Sequence, residues 1–202
     1  MRVAEIVLWS AAAVLLGVYA WVQVERNVYQ TLETRAFDQA LRAPRGAPAA
    51  LRELKEVPPG VPIGRIEIPR LGVRAMILNG TDATTLRRAV GHIEGTPLFG
   101  ASGNVGLAAH RDTFFRGLRN IRPGDRIEIE TLQGAYRYVV DGTRIVGPNE
   151  TAVLDASAYP TLTLVTCYPF DYVGSAPRRF IVAAHLANSN GGGSLEALQL
   201  RR

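Results

Sequence analysis

Between residues 61 and 187 the chain is a succession of short apolar or alternating runs, each closed by Gly, Pro or Asp. Arg65-Ile-Glu-Ile and Val73-Arg-Ala-Met-Ile-Leu flank a Leu71-Gly72 turn, and Asp125-Arg-Ile-Glu-Ile-Glu lies between Pro123-Gly124 and Gln133-Gly134. Tyr136-Arg-Tyr-Val-Val, Thr161-Leu-Thr-Leu-Val-Thr-Cys167 and Arg179-Phe-Ile-Val-Ala-Ala complete the set, with a further run, Asn104-Val-Gly-Leu-Ala-Ala-His110, upstream. Apolar side chains recurring at every second position mark strands with one buried face. So many short, turn-separated strands predict a mostly β domain closed, or nearly closed, into a barrel. The one helical signal inside it is Thr81-Asp82, an N-cap for a short helix through Arg88.

The first part of the chain is of another kind. Residues 6–24 carry no charge, and nineteen residues at a helical rise of about 1.5 Å span roughly 28 Å, close to the hydrocarbon thickness of a bilayer. Trp9, Tyr19 and Trp21 lie toward its ends, where amphipathic rings prefer the interface. A cleaved signal peptide needs a small-residue cleavage site, and Gln23-Val-Glu-Arg is a poor one, so an uncleaved anchor is expected. Val28, Leu32, Ala36, Phe37 and Leu41 then suggest a separate juxtamembrane amphipathic helix over residues 25–45. Ala43-Pro-Arg-Gly-Ala-Pro and Val57-Pro-Pro-Gly-Val-Pro read as linkers on either side of a short Leu51-Arg-Glu-Leu-Lys55 stretch. The expected division is a cytoplasmic start and anchor over 1–24, a helix and linker over 25–60, the barrel over 61–187 and a flexible Gly/Ser/Asn-rich tail over 188–202.

Charge narrows the partners. The net charge of +5 comes from dispersed arginines, Lys55 being the only lysine, and no basic run of five or more occurs. Nucleic-acid binding is therefore not expected. One cysteine in 202 residues excludes an intrachain disulfide framework and a cysteine-based zinc cluster. Neither a His/Asp/Glu cluster with metal-ligand spacing nor a glycine-rich phosphate loop before a helix is present, so no metal and no cofactor are expected.

That cysteine, Cys167, ends a strand-like run just before Tyr168-Pro169, where a proline stops the pairing. Alternation puts Leu162, Leu164 and Thr166 on one face and Thr163, Val165 and Cys167 on the other. His110 likewise closes a run and opens a polar segment with Arg111 and Asp112, and two arginines, Arg178 and Arg179, enter the last run. A cysteine, a histidine and an arginine at strand ends supply a nucleophile, a proton carrier and a fixed positive charge, the parts of a thiol acyl-transfer enzyme. Because a guanidinium stays protonated, the arginine's part must be electrostatic. A backbone N–H beside Cys167, or the Thr166 hydroxyl, is the second candidate for oxyanion donor. Asp112 is a candidate to orient His110; His92 reads as structural or near a substrate groove, and His185 as a cap to the last strand.

Thr163-Leu-Val-Thr-Cys-Tyr-Pro, His110-Arg-Asp-Thr-Phe-Phe-Arg and Ala176-Pro-Arg-Arg-Phe-Ile-Val, in that spacing, resemble sortases, the membrane-anchored cysteine transpeptidases. Cys-Tyr-Pro-Phe with Ala-Pro-x-Arg-Phe-Ile-Val is most similar to class D members. The resemblance covers about residues 57–187 and implies an eight-stranded sortase-type β-barrel. It implies Cys167 as nucleophile, His110 as acid and base, and Arg179 rather than Arg178 as the functional arginine. Thr166, His92 and Tyr168 are the substrate-contacting candidates. It further implies cleavage of a Leu-Pro-x-Thr-Gly-like sorting signal after threonine. The acyl group would pass to an amine acceptor such as a cell-wall precursor, outside the cytoplasmic membrane. The alternatives are a membrane-tethered barrel that only binds, and an L,D-transpeptidase-like cysteine enzyme, whose His-Gly and Ser-x-Gly-Cys stretches are missing.

Overall fold

The computed structural model describes residues 2–42 and 57–187. The linker readings at residues 43–48 and 51–55 and the tail from residue 188 lie outside the described residues.

Eight strands form a closed barrel in the order β1-β2-β3-β4-β7-β8-β6-β5, with β5 pairing back onto β1. They are β1 (Pro62–Ile68), β2 (Val73–Asn79), β3 (Val90–His92), β4 (Asn104–Ala108), β5 (Arg126–Glu130), β6 (Ala135–Val146), β7 (Thr161–Tyr168) and β8 (Arg178–Leu186). Closure leaves no unpaired edge. The interior is filled by alternate side chains: Ile66 and Ile68 of β1, Ile127 and Ile129 of β5, Leu162 and Leu164 of β7, and Val182 and Ala184 of β8. Two pairs are parallel, β2 with β3 and β4 with β7. The first needs a crossover, supplied by α2 (Ala83–Arg88). Asp82 caps it, accepting from the Thr84 and Thr85 N–H groups at 2.8 and 3.2 Å.

Two strands exceed or escape the sequence reading. β6 continues past Val140 through a bulge at Asp141 and runs on to Val146 beside β8. β3 is only three residues, all buried, so it shows no alternation. A second apolar cluster lies outside the barrel, where Val146, Val153 and Ile181 meet Leu154 and Val165. Gly106 makes that cover possible: a Cβ there would stand 3.0 Å from Leu154 and 3.1 Å from Ile93.

The N-terminal region is one helix, α1 (Arg2–Arg42), not an anchor followed by a separate helix. It contains a window of mean hydropathy 1.9 that is long and apolar enough to cross a membrane and is not buried by the protein. The expected apolar stripe does not face the barrel, since Val28 and Leu32 are 50% and 58% exposed. Docking relies instead on polar and aromatic groups one turn around the helix. The Gln30 amide donates to the Arg88 carbonyl at 2.6 Å and accepts from the Met76 N–H at 2.9 Å. That bond serves β2 where β3 pairing begins only at Ile77. Glu25 pairs with Arg88 at 2.9 Å, and Phe37 is buried beneath Arg65, which also pairs with Asp38 at 2.8 Å.

Candidate active site

The site follows from strand register. β4 and β7 run parallel, with Ala108 beside Val165. The pairing continues past the end of β4, because the Ala109 N–H donates to the Val165 carbonyl at 3.3 Å. Two residues further on, His110 comes level with Cys167. On the other side of β7, Cys167 pairs directly with Arg179 of β8. Strands in a sheet lie about 4.8 Å apart, so the three backbones form a row roughly 10 Å long.

Alternation decides which side chains share that row's face. Leu164 and Val182 point into the barrel, as do Leu107 and Ala109. Cys167 and Arg179 are each an odd number of residues from these and therefore stand on the outer face, and His110 follows two residues past the end of β4. Arg178 is across from Tyr168 and so has the alternate parity. The row sits beside the outer apolar cluster, with Val165 and Ile181 one step along β7 and β8. Cys167 and Arg179 are half-buried and His110 is exposed, which leaves the thiol open to an incoming chain. The Arg179 guanidinium donates through Nη1 to the Ala176 and Arg178 carbonyls at 3.2 and 3.1 Å, so the start of β8 holds it.

Two loops frame the row, and arginines brace both. Arg111, next to His110, donates to the Tyr172 and Gly174 carbonyls at 2.6 and 3.0 Å and lies over the Tyr172 ring. It therefore ties the histidine's segment to the β7–β8 connection. Its Nη1 is buried and has no partner among the described residues. Arg119 pairs with Asp171 at 2.9 Å on the same connection. Below, Arg70 forks onto Asp125 and donates to the Asn120 carbonyl at 2.7 Å. Asp125 also accepts from the Arg122 N–H at 2.8 Å. This Arg70 bond holds the Asp125 carboxyl below the usual carboxylate range.

The other sequence candidates lie elsewhere. Thr166 is 2% exposed and its hydroxyl donates to the Ala109 carbonyl at 2.7 Å. It points inward, and its hydroxyl ties β7 to the residue before His110. His92 is buried in β3 beside Leu107 of β4, with Nδ1 3.0 Å from Asn79 Oδ1 and Nε2 3.1 Å from the Pro97 carbonyl. Burial pushes its pKa down, and the ring braces the segment leading to β4 rather than a groove. Tyr168 stacks on Phe180 and meets Phe170 edge-on, at centroid distances of 6.3 and 6.1 Å. It belongs to an aromatic cluster at the barrel mouth, on the side away from Cys167. His185 does not end β8 but pairs outward with Asp141 at 2.5 Å. Asp112 is exposed, and among the described residues no hydrogen bond joins it to His110. Nor do the described residues contain a group of three His, Cys, Asp or Glu side chains able to hold a metal ion. Sequence reasoning missed Arg111; its only signal was its place beside His110.

With that geometry in view, comparison with known proteins is decisive. The family model described as a sortase domain matches residues 66–187. The chain belongs to the sortase family. This sortase is 36% identical over 120 residues to sortase D of Bacillus subtilis, covering 59% of this chain and 61% of that protein. It is 27% identical over 128 residues to sortase A of Listeria monocytogenes, covering 61% of this chain and 56% of that one. It thus spans about three fifths of the length of the curated relatives it matches. Among solved structures, a sortase D5 transpeptidase of Clostridium perfringens superposes with a TM-score of 0.70 at 27% identity, covering 79% of this chain and 99% of that one. Sortase E of Streptomyces avermitilis superposes at 0.55 with 30% identity, covering 65% and 91%. The class D resemblance of the Cys-Tyr-Pro-Phe stretch agrees with the first and third of these.

Proposed function

We propose that this sortase is a membrane-anchored cysteine transpeptidase acting outside the cytoplasmic membrane, with residues 61–187 as its catalytic domain. It cleaves a Leu-Pro-x-Thr-Gly-like sorting signal after threonine and joins the acyl part to an amine, such as that of a cell-wall precursor. One observation supports the reading above all: Cys167 pairs with Arg179 across β7 and β8, and His110 follows the end of β4, the strand on the other side of β7.

The chemistry runs as two displacements. The Cys167 thiolate attacks the threonine carbonyl carbon, forming a C–S bond and an oxyanion beside Arg179. The C–N bond then breaks, and protonated His110 gives its proton to the leaving amine. An incoming amine attacks the thioester and loses a proton to the now neutral His110. A new C–N bond forms, the C–S bond breaks, and thiolate and protonated imidazole return.

The test uses the full chain in detergent with a panel of sorting-signal peptides, with and without a glycine-based amine. A ligated peptide that depends on amine and vanishes with Cys167→Ala supports the proposal. Absence of cleavage across the panel, with a correctly folded protein, refutes it in favour of a barrel that only binds.

A further inference from the structure

The apolar stretch of α1 ends at Val24, and the next turn is already docked on the barrel. Glu25 pairs with Arg88 at 2.9 Å, and Arg26 lies 5.7 Å from the centre of the Phe114 ring. Arg88 lies two residues before the start of β3, and Phe114 lies four residues after His110. Both mark the end of the barrel where β4 and β7 finish. Twelve residues further along α1, about 18 Å at the helical rise, Asp38 meets Arg65, which is paired with Glu130. The helix therefore meets the barrel first beside the segment that follows His110 and then crosses β2 to reach β1, where Arg65 pairs with Met76. If residues 6–24 occupy the hydrocarbon, the end of the barrel where β4 and β7 finish meets the headgroup layer, which adds roughly 5–8 Å beyond the hydrocarbon on each side.

The same end carries an uncovered apolar tip. In the β7–β8 connection Val173 is 94% exposed and Tyr172 47% exposed. The tip is held out rather than loose, since Arg111 binds the carbonyls of Tyr172 and Gly174 and Arg119 pairs with Asp171. Around this end, Arg87, Arg116 and Arg178 are exposed, against two exposed carboxylates, Asp112 and Glu150, that form no ion pair among the described residues. An aromatic and an aliphatic side chain flanked by excess arginine suit an interface of apolar tails and anionic headgroups.

We propose that the β7–β8 connection, with Tyr172 and Val173 at its tip, rests in the headgroup layer of an anionic phospholipid bilayer. The Cys167–His110–Arg179 row thereby works at the membrane surface rather than out at the end of a stalk. This rests on the reading of α1 as a membrane anchor, not on the catalytic roles.

The experiment uses the full chain in nanodiscs containing phosphatidylglycerol. Cys167→Ala removes the only cysteine, and single cysteines are then spin-labelled at positions 15, 32, 159 and 173. Collision rates with oxygen, which partitions into lipid, are compared with those of a water-soluble nickel chelate. We expect position 15 in hydrocarbon, position 159 in water, and position 173 with an oxygen-to-nickel ratio several-fold above that of 159. Most of that difference should be lost in phosphatidylcholine alone, and its persistence there would refute the anionic preference. A label at 173 as aqueous as that at 159, with 15 in lipid, overturns the inference and leaves the anchor intact. So does a label at 32 in lipid with 173 in water, because the helix would then lean away and lift the barrel. An aqueous label at 15 brings down the anchor reading and the inference with it. Val173 is exposed, so its substitution carries no folding burden.

Discussion

The two adjacent arginines give the sharpest contrast available in this site. Arg179 pairs with Cys167 and shares its face, whereas Arg178 pairs with Tyr168 and is exposed on the alternate parity. Removing a charged donor aimed at a developing oxyanion lowers kcat by about 10²–10³, or ~2.7–4 kcal/mol of transition-state stabilisation. Arg179→Gln should therefore lose two to three orders of magnitude in kcat. It also gives up two bonds to the Ala176 and Arg178 carbonyls. At about 1 kcal/mol each or somewhat more, that loss shifts a melting curve but leaves the protein folded at room temperature. Arg179→Lys keeps the charge and loses the planar fork, so it should fall between the two. Arg178→Gln, an exposed substitution worth within about 0.5 kcal/mol, should leave kcat within about threefold of wild type. Steady-state ligation of a fluorogenic sorting peptide, with thermal melts as control, reads all three. Equal losses at the two positions, or a greater loss at Arg178, would show that cross-strand register is not what selects the working arginine.

Two other substitutions probe the braces. The His92 pKa is lowered in the folded state, so below the ordinary imidazole value of about 6.5 the unfolded chain takes up a proton that the folded one resists. Stability should fall as pH drops from about 6.5 toward the depressed folded value, by at most ~1.4 kcal/mol per pH unit for this one group. His92→Gln should flatten that dependence in denaturant titrations at pH 7 and 5; an unchanged slope would contradict it. Arg111→Ala frees the His110 segment from the Tyr172 and Gly174 carbonyls. It should lower kcat about tenfold, the equivalent of ~1.4 kcal/mol, with KM less affected. Wild-type kcat in that variant would show that the bridge does not position His110.

Much of the barrel can be read from local pattern. Arg126-Ile-Glu-Ile-Glu and Thr161-Leu-Thr-Leu announce their buried faces because one side of each strand is solvated or separately covered. β3 stays silent because all three of its residues are buried, and a stretch of Val-Gly-His has no polar face to alternate with. The second half of β6 is hidden behind Asp141-Gly142, which resembles a turn but forms a bulge that keeps the pairing with β8. The continuity of α1 was obscured by the change in composition at Glu25-Arg26, although no proline or glycine interrupts residues 25–42. At the site, the strand-end Cys167 and His110 are legible from sequence. Thr166 is not: its hydroxyl is claimed by Ala109 on a distant strand, a contact no local pattern encodes. The partners that hold His92 in its structural place are equally hidden, since Asn79 and Pro97 reach it from two different segments. Register settles these matters, and register is a property of the closed sheet.

The central claim is that acyl transfer passes through a thioester on Cys167. The most direct measurement is intact-protein mass spectrometry of the full chain, quenched in acid during turnover of a sorting-signal peptide. Without added amine, wild type should gain the mass of the peptide fragment ending in threonine, localised to Cys167. Adding amine should discharge that mass as ligated peptide appears. Peptide cleavage that proceeds without the adduct and survives Cys167→Ser would contradict the account.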